Sequence, residues 1–86
     1  MTSEQSRAAR GWLGWSQREL AQRAGVALNT VHEFEIGRRT PTPNNLAALR
    51  HAVEDAGIRL LFDQQGQGAG IVRQSARIDP STLPTD

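Results

Sequence analysis

The sequence predicts a small, mainly α-helical domain of four helices followed by a C-terminal β-hairpin. Three observations support this fold class. Two short runs of helical period lie on either side of Gly25. Thr42 and Pro43 are typical of a helix start, and Gly57 can end the helix that follows. Beyond Gly57 the apolar residues alternate with period two, which indicates a strand.

The first predicted helix covers residues 3 to 13, with Thr2 or Ser3 as its cap. Its inward positions should be Ala8, Ala9, Trp12 and Leu13. We expect Trp15 in the core as well, because large aromatic side chains usually lie inside small domains. The apolar stripe is weak because Ser6 occupies a position where a larger apolar residue is expected. This helix therefore depends on docking against the rest of the chain.

A second and a third helix follow in close succession. Ser16 and, three residues later, Glu19 predict a capping box that starts a helix at Gln17. Gly25 supplies the left-handed backbone that ends this helix. Ala21 lies where the two helices would cross, and its small side chain allows a close approach. Two short helices that meet across one glycine form a helix-turn-helix.

The C-terminal third of the chain contains the predicted hairpin. Its first strand starts at Ile58, residues 64–68 form the turn, and residues 69–73 form the returning strand. An isolated two-stranded hairpin is marginally stable, so we expect its apolar residues to meet a second copy across a two-fold axis. The alternative is that the hairpin folds back on the fourth helix. The predicted dimer interface consists of Ile58, Leu60, Leu61, Phe62, Ile71 and Val72.

The predicted organisation has three parts. Residues 1–57 form the helix-turn-helix domain, residues 58–74 form the hairpin, and residues 75–86 form a disordered tail that carries two prolines among polar residues.

The segment around the two central helices resembles the phage-repressor-like helix-turn-helix family, of the Cro/CI or XRE type. The resemblance covers roughly residues 3 to 56. The matching positions are Gln17, Leu20, Ala21, Ala24, Gly25, Val26, Val31, Phe34, Glu35 and Gly37, followed by Arg38, Arg39, Thr40 and Pro41. The family implies a sequence-specific DNA-binding regulator, most often a homodimeric repressor on a pseudo-palindromic operator.

The resemblance also implies which residues face the bases. In this motif the third helix enters the major groove with its N-terminus first. The base-reading set carried over onto this chain is Ala27, Leu28, Asn29 and Glu33, with Thr30 and His32 at its margins. An asparagine can pair bidentately with adenine, and alanine or leucine can pack on thymine methyl groups. Glu33 either accepts from a cytosine amino group or lowers affinity by placing a negative charge near phosphate. Alanine at position 27 cannot cap the helix.

Phosphate contacts should come from the start of the second helix and from the loop after the third. These residues are Ser16, Gln17 and Arg18, followed by Arg38, Arg39 and Thr40, with Arg23 a weaker candidate. The resemblance further implies a structural pair between Arg10 and Glu35, which would orient the third helix. The alternative is two separately solvated charges.

The charge is unevenly distributed along the chain. The net charge is +1, but residues 1–50 carry seven Arg against four Glu, whereas residues 51–86 carry three Arg against five acidic residues. The basic half contains the motif, which is compatible with a local DNA-binding face and weak non-specific binding. The chain contains no cysteine, which excludes disulfides and thiolate metal sites. With no long apolar run or signal sequence, we expect a cytoplasmic protein without membrane contact.

An enzyme is not expected. The two histidines lie on different helices, and the glycine-rich residues 66–70 precede an apolar strand rather than a helix, unlike a nucleotide-binding fingerprint. We expect double-stranded DNA and a second copy of the chain as partners, and no cofactor. The main alternative is an antitoxin that binds a partner protein and represses its own operon. A third reading is an adaptor that uses the same fold without binding DNA.

Overall fold

The computed structural model describes residues 1–74. The predicted tail, residues 75–86, lies outside the described residues. The element order is α1 (Ser3–Leu13), α2 (Gln17–Ala24), α3 (Leu28–Glu35), α4 (Pro43–Asp55), β1 (Ile58–Phe62) and β2 (Gly68–Arg73). The predicted fold class, four helices followed by a hairpin, is confirmed. Within residues 1–74, no helix has the length and apolar character that crossing a membrane requires.

Side-chain caps fix where three of the helices begin. Thr2 and Gln5 form a reciprocal capping box at α1, and Thr42 caps α4 with Pro43 in its first turn. The capping box predicted for α2 is only half formed. The Ser16 hydroxyl accepts a hydrogen bond from the Glu19 amide, but the Glu19 carboxylate accepts one from Arg23 instead of reaching back.

The hydrophobic core lies between the four helices and the inner face of the hairpin. Its buried members are Ala9, Leu20, Ala21, Val31, Phe34, Leu49, Ala52, Val53, Ile58 and Leu60. Trp15 packs at the edge of this core, as expected, with the Arg23 guanidinium 4.4 Å from the centre of its ring. The prediction for Trp12 is wrong, since its side chain is 60% exposed. The buried residues of α1 are Gln5, Ser6 and Ala9, of which only Ala9 was predicted.

The hairpin folds back on the helices, as the alternative prediction had it. Ile58 and Leu60 are 2% and 7% exposed and belong to the chain's own core. They cannot also form the dimer interface that was predicted for them. Ile71 is partly buried against the same core, whereas Leu61 is partly exposed and Val72 is 44% exposed. The hydrophobic gain of covering the helical core decides the orientation of the sheet.

A bulge interrupts the pairing of the two strands and is held by α1. Leu61 pairs with Gly70 and Phe62 pairs with Gly68, so Ala69 has no partner in β1. At this point Gln5 Nε2 donates to the carbonyl oxygens of Leu61 (2.7 Å) and Gly70 (3.0 Å). The strand β2 lies so close to α1 at Gly68 that a Cβ atom on this residue would be 2.6 Å from Thr2 Cγ2. The hairpin is therefore tied to the first turn of α1.

Candidate nucleic-acid interface

The helices α2 and α3 form the motif that presents α3 at the surface. Gly25 adopts a left-handed conformation with φ of +70° and ends α2, and the Val26 amide donates to the Ala21 carbonyl at 3.0 Å. Ala21 is buried at the crossing of the two helices, as predicted from its small side chain. The tight turn leaves the N-terminus of α3 at the outside of the domain.

The start of α3 has no side-chain cap. Ala27 occupies the N-cap position in an extended conformation and makes no side-chain hydrogen bond, as its identity predicts. The first amide groups of a helix have no carbonyl partner within the helix and point outward along its axis. The uncapped end can therefore donate to a ligand, with Ala27 and Asn29 exposed beside it.

The predicted base-reading residues have different surroundings. Asn29 and His32 are exposed on the side of α3 opposite the buried Val31 and Phe34. Thr30 and Glu33 are partly buried and line a groove between α3 and the start of α4. Leu28 is partly buried and packs against the core. That packing competes with the thymine contact predicted for Leu28.

The predicted phosphate-binding residues lie at two places. Ser16 and Arg18 are exposed at the start of α2. Arg38, Arg39 and Thr40 are exposed in the loop after α3. The amides of Arg38 and Arg39 both donate to the Glu33 carbonyl, at 2.9 and 3.2 Å. These bonds fix the path of the arginine loop relative to α3.

One groove joins members of both predicted sets. Its volume is about 200 Å³. From α3 it is lined by Asn29, Thr30 and Glu33, and from the other side by Arg39, Thr40 and Asn45. The side chains predicted to face the bases and the loop predicted to bind phosphate therefore share one surface, as a DNA-contacting face requires.

The opposite face of α3 is anchored through a buried glutamate. Glu35 is 2% exposed. Its carboxylate accepts from Arg10 Nη2 (2.6 Å) and Nε, from Ser6 Oγ (2.6 Å) and from Gln17 Nε2 (3.1 Å). Arg10 and Glu35 thus form an ion pair, and the arrangement is not that of two separately solvated charges.

The buried carboxylate is held in its charged form. Burial alone raises the pKa of Glu35, but hydrogen bonds from Arg10, Ser6 and Gln17, together with the Arg10 charge, outweigh that effect and lower the pKa below its usual value. The same interaction raises the pKa of Arg10, chiefly through its hydrogen bond to Glu35. The pair is stable as two charges because Arg10, Ser6 and Gln17 all donate to the carboxylate.

Gln17, which is predicted to bind phosphate, also contacts the buried glutamate. Its side-chain nitrogen donates to Glu35, which was not predicted. An amide nitrogen carries two hydrogens, so one remains for a phosphate oxygen at the start of α2. Glu35 therefore sets the orientation of a residue that was assigned to DNA.

The sequence-based reasoning missed three partners on α1. Ser6 donates to the Glu35 carboxylate, Arg7 Nη1 donates to the Glu35 carbonyl, and Gln5 holds the hairpin. The sequence feature that could have indicated the contact with Glu35 is Ser6 itself. It is a polar residue on the inward face of α1, four positions before Arg10. A buried hydroxyl needs a hydrogen-bond partner, and an acid paired with Arg10 would also have been within reach of Ser6.

The fold and this surface together define a helix-turn-helix DNA-binding domain. The helix-turn-helix family model matches residues 7–53. The chain belongs to that family, in its XRE-type, phage-repressor-like branch, and is a DNA-binding transcriptional regulator. A search of curated proteins finds no match to this chain.

Proposed function

We propose that the chain acts in the cytoplasm as a homodimeric repressor that binds a pseudo-palindromic operator. The observation that carries this proposal is the contrast between the two faces of α3. The inner face is anchored through buried Glu35, whereas the outer face exposes Asn29 beside the arginine loop. A rigidly held helix with a polar outer face and flanking arginines suits insertion into the major groove.

The proposed base contacts centre on Asn29. Its exposed amide would pair bidentately with an adenine, and Ala27 and His32 would face neighbouring positions. The start of α2 and the loop of Arg38, Arg39 and Thr40 would hold the phosphates on either side. These contacts position the helix without reading sequence.

The proposed dimer uses the apolar residues of the hairpin that the core leaves accessible. These are Leu61, Phe62 and Val72, with Ile71 at their edge. Within residues 1–74 the sheet has two strands only, so its outer edges are available for pairing with a second copy. A two-fold dimer would present two α3 helices to successive major grooves about 34 Å apart.

The decisive experiment is selection of bound duplexes from a random DNA pool, with the stoichiometry of the complex measured by light scattering. An inverted repeat bound by two chains supports the proposal. Whether expression of a reporter behind that site falls or rises then separates a repressor from an activator. Failure to enrich any sequence would overturn the proposal and favour the adaptor, which uses the same fold without binding DNA.

The dimer interface has its own test. Val72→Glu places a charge on an exposed apolar position, so we expect a folded monomer that binds the inverted repeat at least 10-fold more weakly. Light scattering and anisotropy titrations measure the two effects. Gln22→Glu adds the same charge on the exposed surface of α2 and should leave the dimer intact. A Val72→Glu protein that remains dimeric would place the interface elsewhere.

A further inference from the structure

The edge of β2 that faces away from β1 carries main-chain groups that pair with no other strand among residues 1–74. Gln74 donates its amide hydrogen to the Gly57 carbonyl, so these two residues form a hydrogen-bonded pair. In an antiparallel ladder, such pairs alternate with pairs whose main-chain groups point away from each other. The register of the hairpin therefore directs the amide and carbonyl groups of Ile71 and Arg73 to the free edge of β2.

A cleft of about 250 Å³ between α1 and β2 leaves room beside this edge. Its walls are Thr2, Glu4, Gln5 and Ala8 of α1 and Gly68, Ala69, Gly70 and Ile71 of β2. Ala69 and Arg73 are exposed, and Ile71 is partly exposed. Glycine and alanine add little side-chain bulk to this part of β2, so a second main chain can approach the strand closely. An unpaired edge of this kind is a template for another strand.

The two ends of the free edge carry opposite charges. Glu4 is exposed on the wall of the cleft, and Arg73 is exposed at the last position of β2. Within its own chain, Glu4 lies 4.0 Å from Arg7, which is too long for a hydrogen bond. A second β2 strand that runs antiparallel to the first brings the arginine end of each chain to the glutamate end of the other. The edge is therefore complementary to a second copy of itself.

We propose that two copies of the chain pair through antiparallel β2 strands, so that their hairpins form one four-stranded sheet with Ile71 at the two-fold axis. This inference rests on the proposed homodimer and assigns its contact to one strand edge. Ile71 exchanges main-chain hydrogen bonds with its own copy, and Arg73 lies opposite the partner's Ala69. At each end of the new contact, Glu4 of one chain forms an ion pair with the partner's Arg73.

Single-cysteine variants test the register, because the chain has no cysteine of its own. Ile71→Cys places two cysteines directly opposite each other, with Cα atoms about 5.5 Å apart, which suits a disulfide. Val72→Cys places them diagonally at about 7 to 8 Å, beyond disulfide range. After mild oxidation of the full chain, we expect about 10-fold more cross-linked dimer for Ile71→Cys than for Val72→Cys.

The outcome separates this inference from the proposed function. Cross-linking at position 72 that equals or exceeds that at position 71 overturns the register. Failure of both variants to cross-link, while light scattering shows that the parent chain is a dimer, does the same. In both cases the proposed homodimer stands, with its interface on another surface. A parent chain that remains monomeric on the selected DNA overturns the homodimer and this inference together.

Charge reversal tests the ion pair and the direction of the strands. Glu4→Arg and Arg73→Glu should each raise the dissociation constant of the dimer about 10-fold, because the two-fold axis repeats the lost ion pair. The combined variant only exchanges the two charges and should restore the dimer. Asp55→Arg makes a matching reversal at an exposed position outside the cleft and should leave the dimer unchanged. Analytical ultracentrifugation measures all four. A combined variant that associates no better than the single variants overturns the antiparallel pairing.

Discussion

The two glutamates of α3 are two residues apart and have opposite surroundings. Glu35 is buried, and both of its oxygens accept hydrogen bonds from Arg10, Ser6 and Gln17. Glu33 lies at the groove, and one of its oxygens has no donor in the described part of the chain. A buried carboxylate whose acceptors are all satisfied inside the domain holds the helix, whereas Glu33 lines an open groove together with exposed Asn29. The contrast separates the face of α3 that anchors it from the face that is proposed to read DNA.

The largest effect on stability should come from removing the ion pair between Arg10 and Glu35, which anchors α3. Glu35→Gln removes the charge opposite Arg10 and leaves a partly buried guanidinium without its partner, so we expect a loss of about 3 kcal/mol in the free energy of unfolding. Urea denaturation measures it. The matched control is Glu33→Gln, which should change stability by less than about 1 kcal/mol because the Glu33 carboxylate loses only a 3.6 Å ion pair with exposed Arg38. Similar losses of stability in both variants would show that the two glutamates do not differ in how strongly they hold α3.

Low pH should weaken the same ion pair between Arg10 and Glu35. Because the folded state lowers the pKa of Glu35, its stabilising contribution is complete above the unfolded value of about 4.3 and is lost as the pH falls through the lower folded value. Denaturation curves at pH 7, 5, 4 and 3 should therefore show a loss below about pH 4. The Glu35→Gln variant should lack that part of the dependence. Identical pH profiles for the two proteins would assign the acid sensitivity to other carboxylates.

On the reading face, Asn29→Ala should cost about 1 to 3 kcal/mol in operator binding and relax the preference at one base position per half-site. The exposed position of Asn29 means that the fold should remain unchanged, which thermal melting can verify. Competition between the selected duplex and its single-base variants measures the specificity. An equal loss on specific and random DNA would show that Asn29 does not read a base.

The smallest effect should come from the loop. Arg38→Ala removes one exposed guanidinium, so we expect weaker binding to all duplexes and a salt dependence whose slope falls by about 1. Anisotropy titrations at several salt concentrations measure both quantities. A change in sequence preference without a change in the salt slope would move Arg38 from the phosphate set to the base-reading set.

The fold was predictable because its boundaries depend on local chemistry. Gly25, Thr42 and Pro43 restrict the backbone wherever they occur, and the change of period after Gly57 marks the strand. The orientation of the hairpin was not predictable in the same way. Either face of a two-stranded sheet can be the covered one, and the choice depends on the volume that the helices leave open to Ile58 and Leu60.

The site was predictable only in part, for a related reason. Its position on α3 follows from the helix-turn-helix pattern, and the pairing of Arg10 with Glu35 from the family resemblance. The roles of Gln5 and Ser6 depend on which polar groups meet after folding, so periodicity assigned the inward face of α1 to Trp12 instead. Ser6 finds its partner 29 residues away along the chain, and the side-chain nitrogen of Gln5 finds its partners at least 56 residues away.

Three consecutive residues of α1 connect the hairpin to α3. Gln5 holds the strands at the bulge, and Ser6 and Arg7 hold the end of α3. In the proposed dimer the hairpins meet at the two-fold axis. This single turn of α1 would therefore set the distance between the axis and each α3 helix. Its rigidity would determine how many base pairs separate the two half-sites, and a loosened turn should tolerate operators with altered spacing.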